Sequence, residues 1–281
     1  MTMVPFALVD VFSDRPLAGN PLAVVPDADH LDDAVMARIA REFNQSETTF
    51  LLTPTMDGAA HRLRSFTPAG VEVFGAGHNA LGAWWWLAGN GRLDRLGVWH
   101  QQLGDVVLPV DVAADRVAMR QEPARFGSTV PLVPLAAALG VDVVAAPAPQ
   151  VVGTGAAHLL VGVRDRATVD AAAPDTAALR ALLLAAGGEG CYVYAVERGE
   201  VTAYARFFNP VAGIVEDPAT GTAAGPLAGL LHRHGLAGET SVILQGHRLG
   251  RPSRLEVRLD GATPVLSGRA VVSATGTLRL A

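Results

Sequence analysis

Two stretches of the chain, Asn79 to Gly91 and Ala219 to Leu231, are apolar or small throughout, with no acidic or basic side chain in either. On a helix the three consecutive tryptophans Trp84 to Trp86 would point about 100° apart and cover nearly every face. A helix that is apolar all round must be buried all round. At 13 residues each, the runs fall well short of the roughly 20 needed to cross a bilayer, so their burial is expected inside a protein core. Each follows a strand-like segment and a loop of Gly and small residues, VFGAGHN in the first case and VEDPATGTA in the second.

Elsewhere the pattern is more ordinary. Leu31, Val35, Ile39 and Phe43 recur every fourth residue, with Asp32 and Asp33 early and Arg38 and Arg41 late, which predicts an amphipathic helix with charges matched to its dipole. Further helices are predicted over 131–139 and 175–186. Strands are predicted at 6–12, 17–25 (broken by Gly19-Asn20-Pro21), 48–53, 61–66, 158–163, 191–196 and 201–207. Several short ones fall in 98–120, and closing strands at 241–244, 254–259, 264–266, 269–273 and 277–280. The segment 121–129 reads as a crossing between halves. Arg64, Phe66 and Pro68 recur as Arg206, Phe208 and Pro210, each 142 residues later. With the shared layout of loop and apolar run, this predicts two related domains, each wrapped around one central helix.

Composition narrows the class. A chain of 281 residues, half hydrophobic and 17% charged, buries a large core. A net charge of −5 without a basic cluster argues against nucleic acid as a partner. One cysteine, Cys191, makes neither an internal disulfide nor a cysteine zinc site, and the N-terminal residues lack a basic start and a cleavable apolar run. A cytoplasmic protein with no membrane segment is expected.

Candidate chemistry gathers at the loops. Helix starts built from small residues let backbone N–H groups face a carboxylate or a developing enolate-like charge. His78 lies at one such start, either as a site residue or as a solvent-facing one. Asp217 is either a ligand contact or an N-cap, and Thr222 a hydrogen-bonding hydroxyl or a small packing residue. Glu47, in the polar run NQSETTF, is either catalytic or a solvated strand end; Asn20 is a turn residue or a substrate contact. The string GAGHNA matches the dinucleotide fingerprint GxGxxA, but VEVF with Glu72 inside replaces the long apolar strand that such a site requires. A nicotinamide oxidoreductase is therefore the weakest reading.

The segments VFSDRPLAGNPLAVV, NQSETTF, FTPAGVEVFGAGHN and RFFNPVAGIVEDPATGTA together resemble the phenazine-biosynthesis isomerase family (PhzF-like), a branch of the diaminopimelate-epimerase fold, over nearly the whole chain. The resemblance implies an α+β protein of two similar domains, each a barrel-like mixed sheet around a central helix, here 1–118 and 119–267, with 268–281 a strand returning to the first. It implies an active site in the cleft between them, no cofactor, no metal, and a homodimer. In that family the glutamate of the SET motif, matching Glu47, moves a proton between carbons of a small carboxylate-bearing substrate. The GH pair matches Gly77 and His78, and the EDPATG acid matches Asp217. Ser46, Gly221 and Thr222 match substrate-binding positions, to which Asn20 and Asn79 are added.

The family's two-thiol epimerases carry one cysteine at each central loop, and the corresponding places here hold Ala76 and Pro218, neither of which can carry a proton. What remains is a one-carboxylate, suprafacial proton shift on a cyclic or unsaturated amino or hydroxy acid. A ligand-binding relative without catalysis is the alternative. Two departures stand out. Asn79 occupies a place where a small residue is common, and Pro226 enters the second apolar run, implying a helix that starts near Gly225 or one that is kinked.

Overall fold

The computed structural model describes residues 2–280. The chain divides into two compact units, Met1–Met119 with Ser267–Ala281, and Arg120–Leu266. In chain order the first unit holds β1 (Thr2–Val11), β2 (Asn20–Val25), α1 (Asp33–Phe43), β3 (Glu47–Leu52), β4 (His61–Phe66), β5 (Glu72–Val73), α2 (His78–Gly89), β6 (Gly97–Leu103), β7 (Val106–Val112) and β8 (Val117–Arg120). The second holds β9 (Arg125–Thr129), α3 (Leu132–Leu139), β10 (Gln150–Gly153), β11 (Ala157–Gly162), α4 (Arg166–Ala171), α5 (Thr176–Ala186), β12 (Gly190–Val196), β13 (Ala203–Asn209), β14 (Ile214–Asp217), α6 (Gly221–Arg233), β15 (Thr240–Gln245), β16 (Ser253–Asp260) and β17 (Thr263–Gly268). The closing strand β18 (Ala270–Leu280) pairs antiparallel with β1 in the first unit.

The two units share one strand pattern. In the first, the neighbours run β18, β1, β2, β3, β4, β6, β7, β8, with β2/β3 and β4/β6 parallel and the rest antiparallel. In the second they run β9, β10, β11, β12, β13, β15, β16, with β11/β12 and β13/β15 parallel. Each parallel pair needs a crossover. α1 provides it between β2 and β3, α4 and α5 between β11 and β12, while α2 and α6 lie within the second crossover of their units.

The all-round apolar runs are these last two helices. α2 packs on β1, β2, β3, β7 and β18, and α6 on β10, β11, β15 and β16. Close approach has a cost in side-chain volume that both helices meet alike, with glycine as the fifth residue. A Cβ on Gly82 would lie 2.6 Å from Leu22 Cδ2 and Val11 Cγ2, and one on Gly225 would overlap the Gln121 amide. Trp84 is fully buried, its indole N–H satisfied by Gln101 Oε1 at 2.8 Å, as a buried indole requires.

The repeated Arg and Phe have a mechanical meaning. Arg64 on β4 reaches Glu72 on β5 through two bonds of 2.8 and 2.7 Å, and Arg206 on β13 reaches Glu216 on β14 through two of 2.9 and 2.8 Å. Each guanidinium lies over the phenylalanine two residues on, 5.2 Å from Phe66 and 4.8 Å from Phe208. Bidentate pairing fixes orientation as well as distance. Thus each short strand, and the Gly-rich loop it feeds into a central helix, is clamped to the sheet.

Some expectations change. The segment 121–129 is not a bare crossing, since β9 pairs with β10. The strands expected at 269–273 and 277–280 are one, paired with β1 on both sides of a register shift at Ser273. α4 escaped notice because six residues are too few to display a helical period. α6 begins at Gly221, four residues before Gly225, so Pro226 sits inside the helix and the Thr222 carbonyl loses its ladder partner.

Candidate active site

In the first unit Glu47 opens β3 and His78 opens α2, and Glu47 Oε2 lies 4.0 Å from His78 Nε2. Both side chains are largely buried, 18% and 11% exposed. Desolvation pulls the His78 pKa down to about 4. The imidazole is therefore neutral at pH 7, and the approach is a carboxyl group beside a neutral ring rather than an ion pair. Ser46 is half-buried beside Glu47, and Asn20, the first residue of β2, is fully buried.

The loop into α2 is internally braced. Asn79 is 1% exposed, accepts the Gly77 N–H at 2.7 Å and donates to Ser65 Oγ at 3.0 Å and Gly75 O at 2.9 Å. Both amide hydrogens are thus spent inward. Asn79, expected as a substrate contact, instead holds the loop, and the Gly77 amide is turned to Asn79 rather than outward. Asn79→Ala strands buried polar groups at about 1–3 kcal/mol each. A loss of roughly 3 kcal/mol is expected in urea unfolding, and an unchanged midpoint would remove Asn79 from this role.

The second unit has its own cluster. Asp217 ends β14 and accepts the hydroxyl of Thr220, which is the N-cap residue of α6, so Asp217 is not itself the cap. Gln245 ties this loop down, accepting from the Thr220 N–H at 3.1 Å and Tyr192 OH at 2.9 Å and donating to Asp217 O at 2.7 Å. Gly221 is buried at the helix start, and its carbonyl accepts from Gln121 at 2.9 Å. Thr222 Oγ1 lies 3.0 Å from His158 Nε2. His158 and Gln245 were not singled out in the sequence because they lie on strands 25 to 64 residues from their partners, whereas Thr220 went unremarked inside EDPATG, three residues from Asp217.

Neither α2 nor α6 has a side-chain cap bond at its start or an acidic residue in its first turn. First-turn N–H groups without a carboxylate of their own suit an anionic ligand. The GAGHNA stretch is fed by the two-residue β5 rather than a long buried strand, so it is not built as a dinucleotide site. Among the described residues no group of three His, Cys, Asp or Glu is placed to hold a metal ion, and no helix is long and apolar enough to cross a membrane.

His158 resembles His78 in being lowered by burial to about 4, against 6.5 for a free histidine. The unfolded chain therefore takes up protons first as the pH falls. The stability held by each neutral ring is present above pH 6.5 and is lost as the pH drops towards 4, on the order of 3 kcal/mol per ring. The urea midpoint should fall steeply between pH 6.5 and 4, and less steeply in His78→Phe; a flat midpoint would contradict buried neutral rings.

Comparison with known proteins bears on the family and the fold. The family model described as phenazine biosynthesis-like protein (PhzC-PhzF) matches residues 9–276. A trans-2,3-dihydro-3-hydroxyanthranilate isomerase of Pseudomonas aeruginosa is 38% identical, covering 92% of this chain and 91% of its own. A phenazine biosynthesis protein of the PhzF family from Bacillus anthracis superposes with a TM-score of 0.88 at 24% identity over all of both chains. A hydroxyproline epimerase from Agrobacterium vitis, at 11% identity, shares the fold with a TM-score of 0.64 over 98% of this chain and 92% of its own.

Proposed function

The chain belongs to the phenazine biosynthesis-like (PhzC-PhzF) family and is an isomerase, and from that premise we propose that it moves a proton between carbons of a small cyclic amino-acid carboxylate, trans-2,3-dihydro-3-hydroxyanthranilate or a close analogue. The carrying observation is the largely buried Glu47 carboxyl 4.0 Å from His78. In this reading Glu47 takes a proton from one ring carbon, and the electron pair left behind spreads through the adjoining double bonds. The resulting carboxylic acid then returns the proton to a second carbon on the same face. No atom or electron is gained or lost, so no redox cofactor is required.

His78, uncharged, can donate its ring N–H to a substrate oxygen without competing for the migrating proton. In the first unit the helix start at His78, with Ser46 and Asn20, is read as holding the substrate's carboxylate and polar groups; in the second unit Gly221, Asp217 and Thr222 are the candidate polar contacts. A one-carboxylate mechanism is supported by the matched position in the second unit. Glu47 opens β3 as Gly190 opens β12, and Gly190 cannot carry a side chain because the Phe207 ring fills that space. The same reading makes the protein a cytoplasmic homodimer. Turnover of trans-2,3-dihydro-3-hydroxyanthranilate in D2O tests it: isomerisation is expected, with deuterium at the newly protonated carbon to the extent that the Glu47 carboxylic proton exchanges with solvent between the two transfers, and the absence of both turnover and exchange would overturn the substrate assignment.

A further inference from the structure

His158 is a polar side chain for which the isomerisation has so far had no use. It lies on β11, 3% exposed, and its neighbour across the parallel pair with β12 is Gly190. The absence of a Cβ at Gly190 admits the Phe207 ring, and the His158 ring meets Phe207 edge-to-face, 5.0 Å between centroids and 88° between planes. That contact fixes the imidazole plane so that Nε2 points at Thr222 Oγ1, 3.0 Å away, while Nδ1 is buried without a hydrogen-bond partner among the described residues. Thr222, on the first turn of α6, is half-exposed and has no second hydrogen-bond partner among the described residues.

A neutral imidazole carries one proton, and its place decides what Thr222 can do. With the proton on Nδ1, a buried N–H would go unsatisfied, and Nε2 would take up the threonine O–H. With the proton on Nε2, the orphan is only a lone pair, and orphaned buried donors are the rarer and costlier defect. The Nε2–H then donates into Thr222 Oγ1, and the hydroxyl hydrogen is left to point elsewhere. We propose that His158 is a positioning residue that, as its Nε2–H tautomer, turns Thr222 into an outward hydrogen-bond donor for an acceptor oxygen of the bound carboxylate substrate. Charge and acidity are not involved; the histidine works as a fixed neutral donor that sets the direction of another group.

This inference rests on Thr222 being a substrate contact, and the experiment separates the two. The 15N shifts of His158 in the unliganded protein at pH 7 report the tautomer without any substrate; Nε2–H is expected, and Nδ1–H would overturn the proposal whatever the substrate. Binding of 3-hydroxyanthranilate, followed by calorimetry, tests the coupling. His158→Phe and Thr222→Val should each weaken it about tenfold, and the double variant by the same tenfold rather than a hundredfold. His158→Gln, which still presents a donor, should stay within about threefold of the parent protein. Losses that multiply, or a His158→Phe variant that folds and binds normally, would overturn the proposal. Normal binding by Thr222→Val would instead remove Thr222 from the site and take the proposal with it. Should His158→Phe fail to fold, the tautomer measurement decides.

Discussion

Glu47→Gln is expected to abolish exchange of substrate C–H with solvent deuterium while leaving the fold intact. Glutamine keeps the size of glutamate and its place at the start of β3, but an amide neither takes up a carbon-bound proton nor returns one. Positioned acid–base groups contribute roughly 10²- to 10⁴-fold, and a single group serving both steps puts the loss at the upper end. The effect should fall on kcat, because the transfer occurs after binding. His78→Phe should cost less, since a neutral ring beside the carboxyl group supplies a hydrogen bond rather than the migrating proton. Residual exchange in Glu47→Gln within tenfold of the parent would mean that another group carries the proton. The first to test would then be Asp217, whose oxygen is held by Thr220.

The two buried helices could be read from the chain because a run apolar on every face has only one stable place, and α2 and α6 both fall where the composition put them. Their loops were read by resemblance, because nothing local distinguishes Glu47 from any carboxylate at a strand end. Its 4.0 Å approach to His78 joins residues 31 apart. The structural part played by Glu72 was hidden for a related reason. In the linear sequence it spoils a nucleotide fingerprint, whereas across the antiparallel pair it is the carboxylate that clamps Arg64. Asn79 looked like a polar intruder at a ligand site because the chain does not reveal that Ser65 and Gly75 stand ready to use its amide. Periodicity finds surfaces that must be buried; it does not find the polar group waiting on another strand.

The second large effect is expected at the other clamp. Arg206 and Glu216 are each 8% exposed at the side chain, against 13% and 22% for Arg64 and Glu72. Arg206 also donates to the carbonyls of Val169, Asp170 and Ala172 at 3.1, 3.1 and 2.8 Å, serving the C-terminal end of α4. A short helix with no basic residue in its last turn depends on that outside donor. Arg206→Met leaves a buried carboxylate uncompensated and takes the guanidinium from the Asp170 and Ala172 carbonyls, that of Val169 keeping the Ala172 N–H, and breaking a buried pair costs about 3–5 kcal/mol. Against a total stability of roughly 5–15 kcal/mol, that variant should be largely unfolded or recovered only at low temperature. Glu216→Gln should lose less, because the guanidinium keeps its carbonyl partners and the amide still accepts one bond. Arg64→Met should lose least, its carboxylate partners Glu72 and Asp33 being nearer to water. Urea midpoints ranked in that order would establish the clamp of the second unit as the stiffer of the two. If Arg206→Met and Arg64→Met were equally mild, the clamps would be surface pairs in effect and would not hold the loops.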